Sequence, residues 1–262
     1  MHASLQPANS AAVRHALVTG GGRGIGAAVA RSLVGRGLRV TVLGRRLDVV
    51  QALVAEAPQQ LHAVVADVSD AGQVAAALTA AQARFGRVEV LVNNAGQAES
   101  APFLKTDAAL WRRMLDVNLT GTMICTQAVL PGMLVSGWGR IVNVASTAGQ
   151  VGYAYVSAYC AAKHGVVGLT RALALELATK GITVNAVCPG YTDTDLVRAS
   201  VQRVVAKTGR SADEARAEFV RSNPQGRLVQ PVEVADAVAW LCGEGAGAVT
   251  GQAVSVSGGE VM

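Results

Sequence analysis

Short apolar runs alternate with longer amphipathic stretches from one end of this chain to the other. Seven runs fit strands, at 15–19, 39–43, 62–66, 88–93, 139–145, 183–187 and 253–256. Between them lies helical periodicity, at 25–35, 47–56, 71–85, 111–135, 158–179 and 232–241. Consecutive parallel strands need crossover connections, and right-handed crossovers wind such units into an open, doubly wound parallel sheet with helices on both faces. The reading is α/β, with one domain over 15–262 behind a loose tail at 1–14. Composition agrees, since 51% of residues are hydrophobic and only 4% aromatic. Small and branched apolar side chains suit a sheet buried on both faces.

One segment breaks the rhythm. Residues 193–223 are polar and charged, with KTGRSADEARAEF among them, and show helical pattern with little core character. The segment leaves the carboxyl end of a strand, where open α/β sheets bind ligands. It is read as a mobile substrate lid, with an inert surface excursion as the alternative.

The formal charge of +5 lacks any basic run interleaved with aromatics, so scattered arginines and an anionic cofactor explain it better than nucleic acid does. Cys125, Cys160, Cys188 and Cys242 show no CxxC pairing and no histidine at metal-ligand spacing, so no metal is expected. They read as small buried hydrophobes in a reducing compartment. The N-terminus lacks a signal-peptide pattern and no apolar run approaches a membrane span. A cytoplasmic protein without membrane or nucleic-acid partners is expected.

The first strand runs into Thr19-Gly20-Gly21-Gly22-Arg23-Gly24-Ile25-Gly26 and then a helix. Glycines at a strand-to-helix turn let the backbone approach a pyrophosphate, whose charge the helix N-terminus meets. The second strand ends Leu43-Gly44-Arg45-Arg46. An acid there would bind ribose hydroxyls and repel a 2′-phosphate, whereas a small residue followed by guanidinium groups suits that phosphate. This favours NADP(H), with NAD(H) possible if Arg45 and Arg46 are ordinary surface charges.

TGGGRGIG resembles the TGxxxGIG motif of the short-chain dehydrogenase/reductase family, and the resemblance extends over essentially the whole chain. It implies a Rossmann-type fold in which Gly20, Gly24, Ile25 and Gly26 line the dinucleotide, with Arg23 beside them. Asp67-Val68 resembles the pair that holds the adenine, although an aspartate there also caps turns. Asn93-Asn94-Ala95-Gly96 is similar to the family's NNAG, in which Asn94 steadies the sheet and Ala95–Gly96 pass the adenine ribose. Pro189-Gly190-Tyr191-Thr192-Asp193-Thr194 resembles PGxxxT, which implies that Thr192 and Thr194 hold the nicotinamide carboxamide for pro-S transfer. Thr192 stands where the family carries Val or Ile, and Ser257-Gly258-Gly259 replaces Asp-Gly-Gly.

Tyr159 and Lys163 form YxxxK, and on a helix i and i+4 share a face. A phenol with pKa near 10 is a poor acid or base at neutral pH. A cation at ~4 Å in a dielectric of ~20 favours the phenolate by about 4 kcal/mol, so the pairing predicts a tyrosine brought into a useful range. The resemblance adds Ser146, which holds the substrate oxygen, and Asn118, which kinks its helix and binds a water linking Lys163 to solvent. Lys163 also binds the ribose. His164 and Cys160 are expected to serve packing.

The chain therefore reads as an NAD(P)-dependent enzyme moving hydride between nicotinamide and a ketone/secondary alcohol. The segment from Asn223 through Gly251 resembles 3-oxoacyl-thioester reductases and hydroxyacyl-CoA dehydrogenases, which suggests a CoA or carrier-protein thioester. A dehydrogenase of cyclic or aryl secondary alcohols is the alternative. A non-catalytic dinucleotide-binding redox sensor is the alternative of another class, disfavoured by the complete tetrad. The resemblance also implies a homotetramer, assembled through the helices at 111–135 and 158–179.

Overall fold

The computed structural model describes residues 13–262, so most of the expected N-terminal tail lies outside the described residues. Seven strands form one parallel sheet: β1 (His15–Thr19), β2 (Arg39–Gly44), β3 (Leu61–Val65), β4 (Val88–Asn93), β5 (Gly139–Val144), β6 (Ile182–Pro189) and β7 (Ala253–Val256). Their order is β3-β2-β1-β4-β5-β6-β7. The chain winds outward from β1 in one direction and then from β4 in the other, so a crevice opens beyond the carboxyl ends of β1 and β4.

The helices cover both faces, as the near-continuous apolar strands require. On one face α1 (Gly24–Gly35), α2 (Leu47–Val54) and α9 (Pro231–Leu241) bury Val29, Leu33, Val50, Leu53, Val238 and Leu241 against Val18, Val40, Val42 and Val92. On the other, α3 (Ala71–Phe85), α5 (Gly121–Ser136) and α6 (Ser157–Leu177) bury Val74, Cys125, Val129, Met133 and Leu177 against Leu17, Leu91, Ile141 and Val184.

Four expectations need correction. The single helix expected at 111–135 is α4 (Ala108–Leu115), one π turn (Asp116–Thr120) and then α5. Its cause is Asn118, whose side-chain amide donates back to the Met114 carbonyl at 2.9 Å and across to the Gln97 carbonyl, in the loop after β4, at 3.0 Å. Taken together, 108–136 is also long and apolar enough by composition to cross a membrane, contrary to the reading of the apolar runs. It nevertheless packs on the sheet through α5 and carries buried Asn118, Thr122 and Thr126.

Residues 193–223 hold two helices, α7 (Asp195–Thr208) and α8 (Ala212–Val220), with an apolar cluster of their own. Val197, Val201 and Ala215 are buried there with Leu228, and Tyr191 and Phe219 pack on them. Spacing of three and four along two short helices hides such a cluster inside a polar sequence. Arg14, assigned to the tail, is anchored. Its guanidinium lies 3.4 Å from the Trp138 ring centre and pairs with Glu89 and Glu244.

Candidate active site

The turn after β1 is stitched to the end of β4. Thr19 Oγ1 accepts the backbone N–H groups of Asn94 and Ala95, both at 3.0 Å. The Asn94 side chain donates to the carbonyls of Thr19 at 3.0 Å and Gly20 at 3.2 Å. A Cβ at Gly26 would stand 2.3 Å from the Gly20 carbonyl oxygen, so only glycine lets α1 start this close to the turn. The N-terminus of α1 is thereby aimed into the crevice, a favourable setting for a pyrophosphate.

The crevice is a cavity of about 1100 Å³, open at its mouth. Gly20, Arg23, Gly24, Ile25, Arg45, Arg46, Asp67, Val68, Asn94, Ala95 and Gly96 line it. So do Asn118, Ser146, Tyr159, Lys163, Pro189, Gly190, Thr192 and Thr194, with Gly24 meeting Thr194 and Gly96 meeting Asn118 and Lys163 where the two groups join. Gly26 alone of the expected residues lies behind the wall, where it sets the α1 approach. His164 is exposed on the far side of α6, its Nδ1 2.9 Å from the Cys160 carbonyl. Among the described residues no cluster could hold a metal ion.

At the adenosine end Asp67 lines the cavity and also caps the turn after β3. Its carboxylate accepts from the Ser69 N–H at 3.0 Å and the Ser69 hydroxyl at 2.6 Å, which holds it below its usual pKa. The Arg45 guanidinium lies 3.9 Å from Asp67 and its side chain is 69% exposed, so this pair restrains the arginine little. Arg46, exposed at the start of α2, makes no ion pair among the described residues.

The catalytic end is built from three elements. The last turn of β5 feeds Ser146, whose Oγ accepts the Ala148 N–H at 3.1 Å. Tyr159 and Lys163 stand one turn apart on α6, with Lys163 Nζ 5.7 Å from the Tyr159 ring centre. The π turn delivers Asn118, which caps the loop after β4 by accepting the Gln97 N–H at 3.2 Å. A Cβ at Gly96 would meet Asn118 Oδ1 at 2.8 Å and Lys163 Nζ at 3.7 Å, so Gly96 lets these two groups converge on one point.

The electrostatics correct the sequence reading. Lys163 Nζ is buried and donates to the Val144 carbonyl at 2.8 Å, and burial pushes its pKa down to about 8. Tyr159 borders the cavity, but its phenol is deep among protein atoms, and burial pushes it up to about 12 against the opposing hydrogen bond of Ser146. Losing water penalises both charged forms, and for each group burial is the largest influence. The protein alone thus holds Tyr159 protonated and ready to donate, and leaves the amine near its titration point. Beyond it Thr192 donates to the Gly190 carbonyl at 3.0 Å, and Thr194 to the Thr192 carbonyl at 3.3 Å, fixing the turn into α7.

Sequence reasoning missed the far wall. Tyr153 accepts from the Thr147 hydroxyl across 2.9 Å and donates to Glu260 at 2.7 Å, so its ring is fixed in the cavity wall. It meets Tyr191 edge to face at 6.3 Å, and Tyr191 meets Phe219 at 5.0 Å. Tyr153 and Glu260 lie 107 residues apart, and nothing in the local pattern of either marks the contact.

A family model described as short chain dehydrogenase matches residues 14–204. The chain is 44% identical to a Streptomyces coelicolor protein provisionally named a ketoacyl reductase, over 93% of this chain and 95% of that one. It is also 44% identical to the cis-4-hydroxycyclohexanecarboxylate dehydrogenase of Sinomonas cyclohexanicum, over 95% of this chain and 96% of that one. A solved actinorhodin polyketide ketoreductase with NADPH superposes with a TM-score of 0.91 at 42% identity, covering 95% of this chain and 97% of the other. By fold, by the order of its motifs and by these likenesses, the chain belongs to the short-chain dehydrogenase family and is an NAD(P)-dependent oxidoreductase of ketone/alcohol pairs.

Proposed function

We propose that the chain reduces the carbonyl of a 3-oxoacyl thioester with NADPH. The observation that carries the reaction is the convergence of Ser146, Tyr159, Lys163 and Asn118 on one cavity whose other end is the glycine turn and the arginines after β2. When bound, the dinucleotide supplies the hydride. Ser146 Oγ holds the carbonyl oxygen, and Tyr159 gives that oxygen its proton. Lys163 offers its ammonium to the ribose and to the phenol. Asn118 is the positioning residue that keeps the loop after β4 and the Lys163 amine in register.

Thr192 and Thr194 hold the carboxamide. Asn94, Ala95 and Gly96 pass the adenine ribose, and Asp67 and Val68 flank the adenine. Arg45 and Arg46 meet a 2′-phosphate, a choice supported by the absence of an acid at Gly44 and by the NADPH of the actinorhodin ketoreductase. The thioester is supported by the ketoacyl reductase relative and by the size of the open cavity. The cyclic alternative keeps one specific support, the aromatic wall of Tyr153, Tyr191 and Phe219, together with the cyclohexane-acting relative. The protein works in the cytoplasm as a homotetramer, with residues 193–223 closing over bound substrate.

The test is a panel of 3-oxoacyl thioesters and cyclic ketones with NADPH and NADH, followed by nicotinamide absorbance. Turnover of the thioesters with NADPH is expected. Turnover of cyclic ketones alone would shift the assignment to the second reading.

A further inference from the structure

Residues 193–223 carry six basic side chains: Arg198, Arg203, Lys207, Arg210, Arg216 and Arg221. Four are engaged by carboxylates. Arg198 pairs with Asp193 and Asp195 at 2.9 Å each, and Arg216 with Asp193 at 3.5 Å. Glu218 takes Arg210 and, at 3.9 Å, Arg221. Among the described residues Arg203 and Lys207 have no carboxylate partner, and Arg203 makes one contact, to Ser200 Oγ at 3.0 Å. These two, and none of the other four, line the cavity.

They stand at i and i+4, on one face of α7, with Val204 of the cavity wall between them. Helix α7 starts beside the turn that holds Thr194, so at 1.5 Å per residue Arg203 is about 14 Å and Lys207 about 20 Å along it. The three arginines at the adenosine end, Arg23, Arg45 and Arg46, are separate from this pair in sequence and element. The cavity therefore carries two cationic sets, one on the turns after β1 and β2 and one on α7. A neutral ketone needs only the first, for its cofactor.

We propose that Arg203 and Lys207 form an anion subsite that receives the phosphate of the substrate's pantetheine arm. This rests on the thioester reading. An extended pantetheine chain has a reach comparable to the stretch of α7 that separates the pair from the catalytic end. The inner part of α7 offers Leu196 and Val197 to the arm, and the pair waits where the phosphate emerges. Arginine supplies a planar fork and lysine a mobile point charge, a combination suited to a phosphate that arrives at the end of a flexible chain. The paired neighbours keep Asp193, Asp195 and Glu218 from competing for it.

The test compares 3-oxobutyryl-CoA, 3-oxobutyryl-4′-phosphopantetheine and 3-oxobutyryl-pantetheine, in wild type and in the double variant Arg203→Ala with Lys207→Ala. Wild type at low salt is expected to show about tenfold lower KM for the two phosphorylated thioesters than for the pantetheine thioester, with kcat shared. The double variant should erase that difference through KM, and raised salt should do the same. The charge-keeping variant Arg203→Lys with Lys207→Arg should retain it, which separates charge from damage to α7. Response to the phosphopantetheine thioester locates the shared phosphate, whereas response to CoA alone places the pair on the adenosine phosphates.

Equal KM for all three in wild type, an equal loss on all three in the double variant, or a loss confined to NADPH affinity would each overturn the subsite. If no thioester is reduced, the thioester reading falls by itself. Calorimetry of CoA with NADP-loaded protein then decides the pair, since binding that the double variant weakens supports it and equal binding overturns it.

Discussion

Lys163 is enclosed by protein, has the Val144 carbonyl as its hydrogen-bond acceptor, and loses its proton near pH 8. Its folded pKa is depressed, so the ammonium is present below about 8 and gone above it. Dinucleotide affinity should therefore fall as pH rises through that value, and Lys163→Met should flatten the profile, as read by nicotinamide fluorescence titration. A wild-type affinity flat from pH 6 to 10 would remove the ammonium from the binding role. Tyr159→Phe should lower kcat by at least ~10²-fold while leaving that affinity nearly unchanged, because the phenol is the proposed proton donor. Retention of more than about a tenth of wild-type kcat would sink the assignment. Cofactor choice is also a residue-scale question. A Cβ at Gly44 would meet Val50 Cγ1 at 2.9 Å, so Gly44→Asp needs Val50→Ala beside it to enter without strain. With Arg45→Ala added, preference should move toward NADH by roughly tenfold to a hundredfold, the lower end being expected for so exposed a guanidinium. The ratio of kcat/KM values measures it. A wild type that already prefers NADH tenfold would leave Arg45 and Arg46 as surface charges.

At the scale of elements, the sheet was legible because each strand is an apolar run bounded by turn residues, and a parallel sheet demands such runs. The motif residues were legible because the site sits at strand ends, where local patterns and ligand contacts coincide. What escaped was contact at a distance. The amide of Asn93 donates to Thr126 at 3.0 Å and to Asn143 at 2.9 Å, and Asn143 donates to Thr170 at 2.9 Å. That buried chain runs from α5 through β4 and β5 to α6, joining residues no periodicity relates. The apolar cluster of α7 and α8 escaped for a related reason, since its partners Tyr191 and Leu228 lie outside the segment. That cluster changes what the proposed lid should do. Only two valines and one alanine of α7 and α8 are buried, so this hairpin should open at lower free energy than the sheet-packed α6, yet as a unit. Hydrogen exchange should show α7 and α8 exchanging together, faster than α6, and slowing when dinucleotide and substrate are both present. Identical rates with and without ligands would count against closure.

At the scale of the molecule, the two helices expected to build a tetramer leave apolar side chains in water. Leu175 on α6 is 82% exposed and Trp111 on α4 is 38% exposed. On α5, Val135 is 77% exposed. Neither helix needs these residues for its own packing, because α6 already buries Val166, Val167 and Leu177 and α5 buries Cys125, Val129 and Met133. Single exposed apolar residues are ordinary on a protein surface, and the proposed tetramer is the assembly that would cover these three. Assembly would also brace the catalytic end, because α4 leads directly into the π turn that carries Asn118, and α6 carries Tyr159 and Lys163. Light scattering of the wild type is expected at four times the chain mass of 26.8 kDa. Leu175→Arg combined with Trp111→Ser should lower that mass, since each charge or hydroxyl introduced at a symmetric interface recurs in every copy. The same variant should lose kcat more than dinucleotide affinity, as the catalytic helices loosen while the glycine turn after β1 does not. A wild type scattering at the mass of one chain would end the tetramer proposal, and a dissociated variant with unchanged kcat would show that each chain holds its site without help.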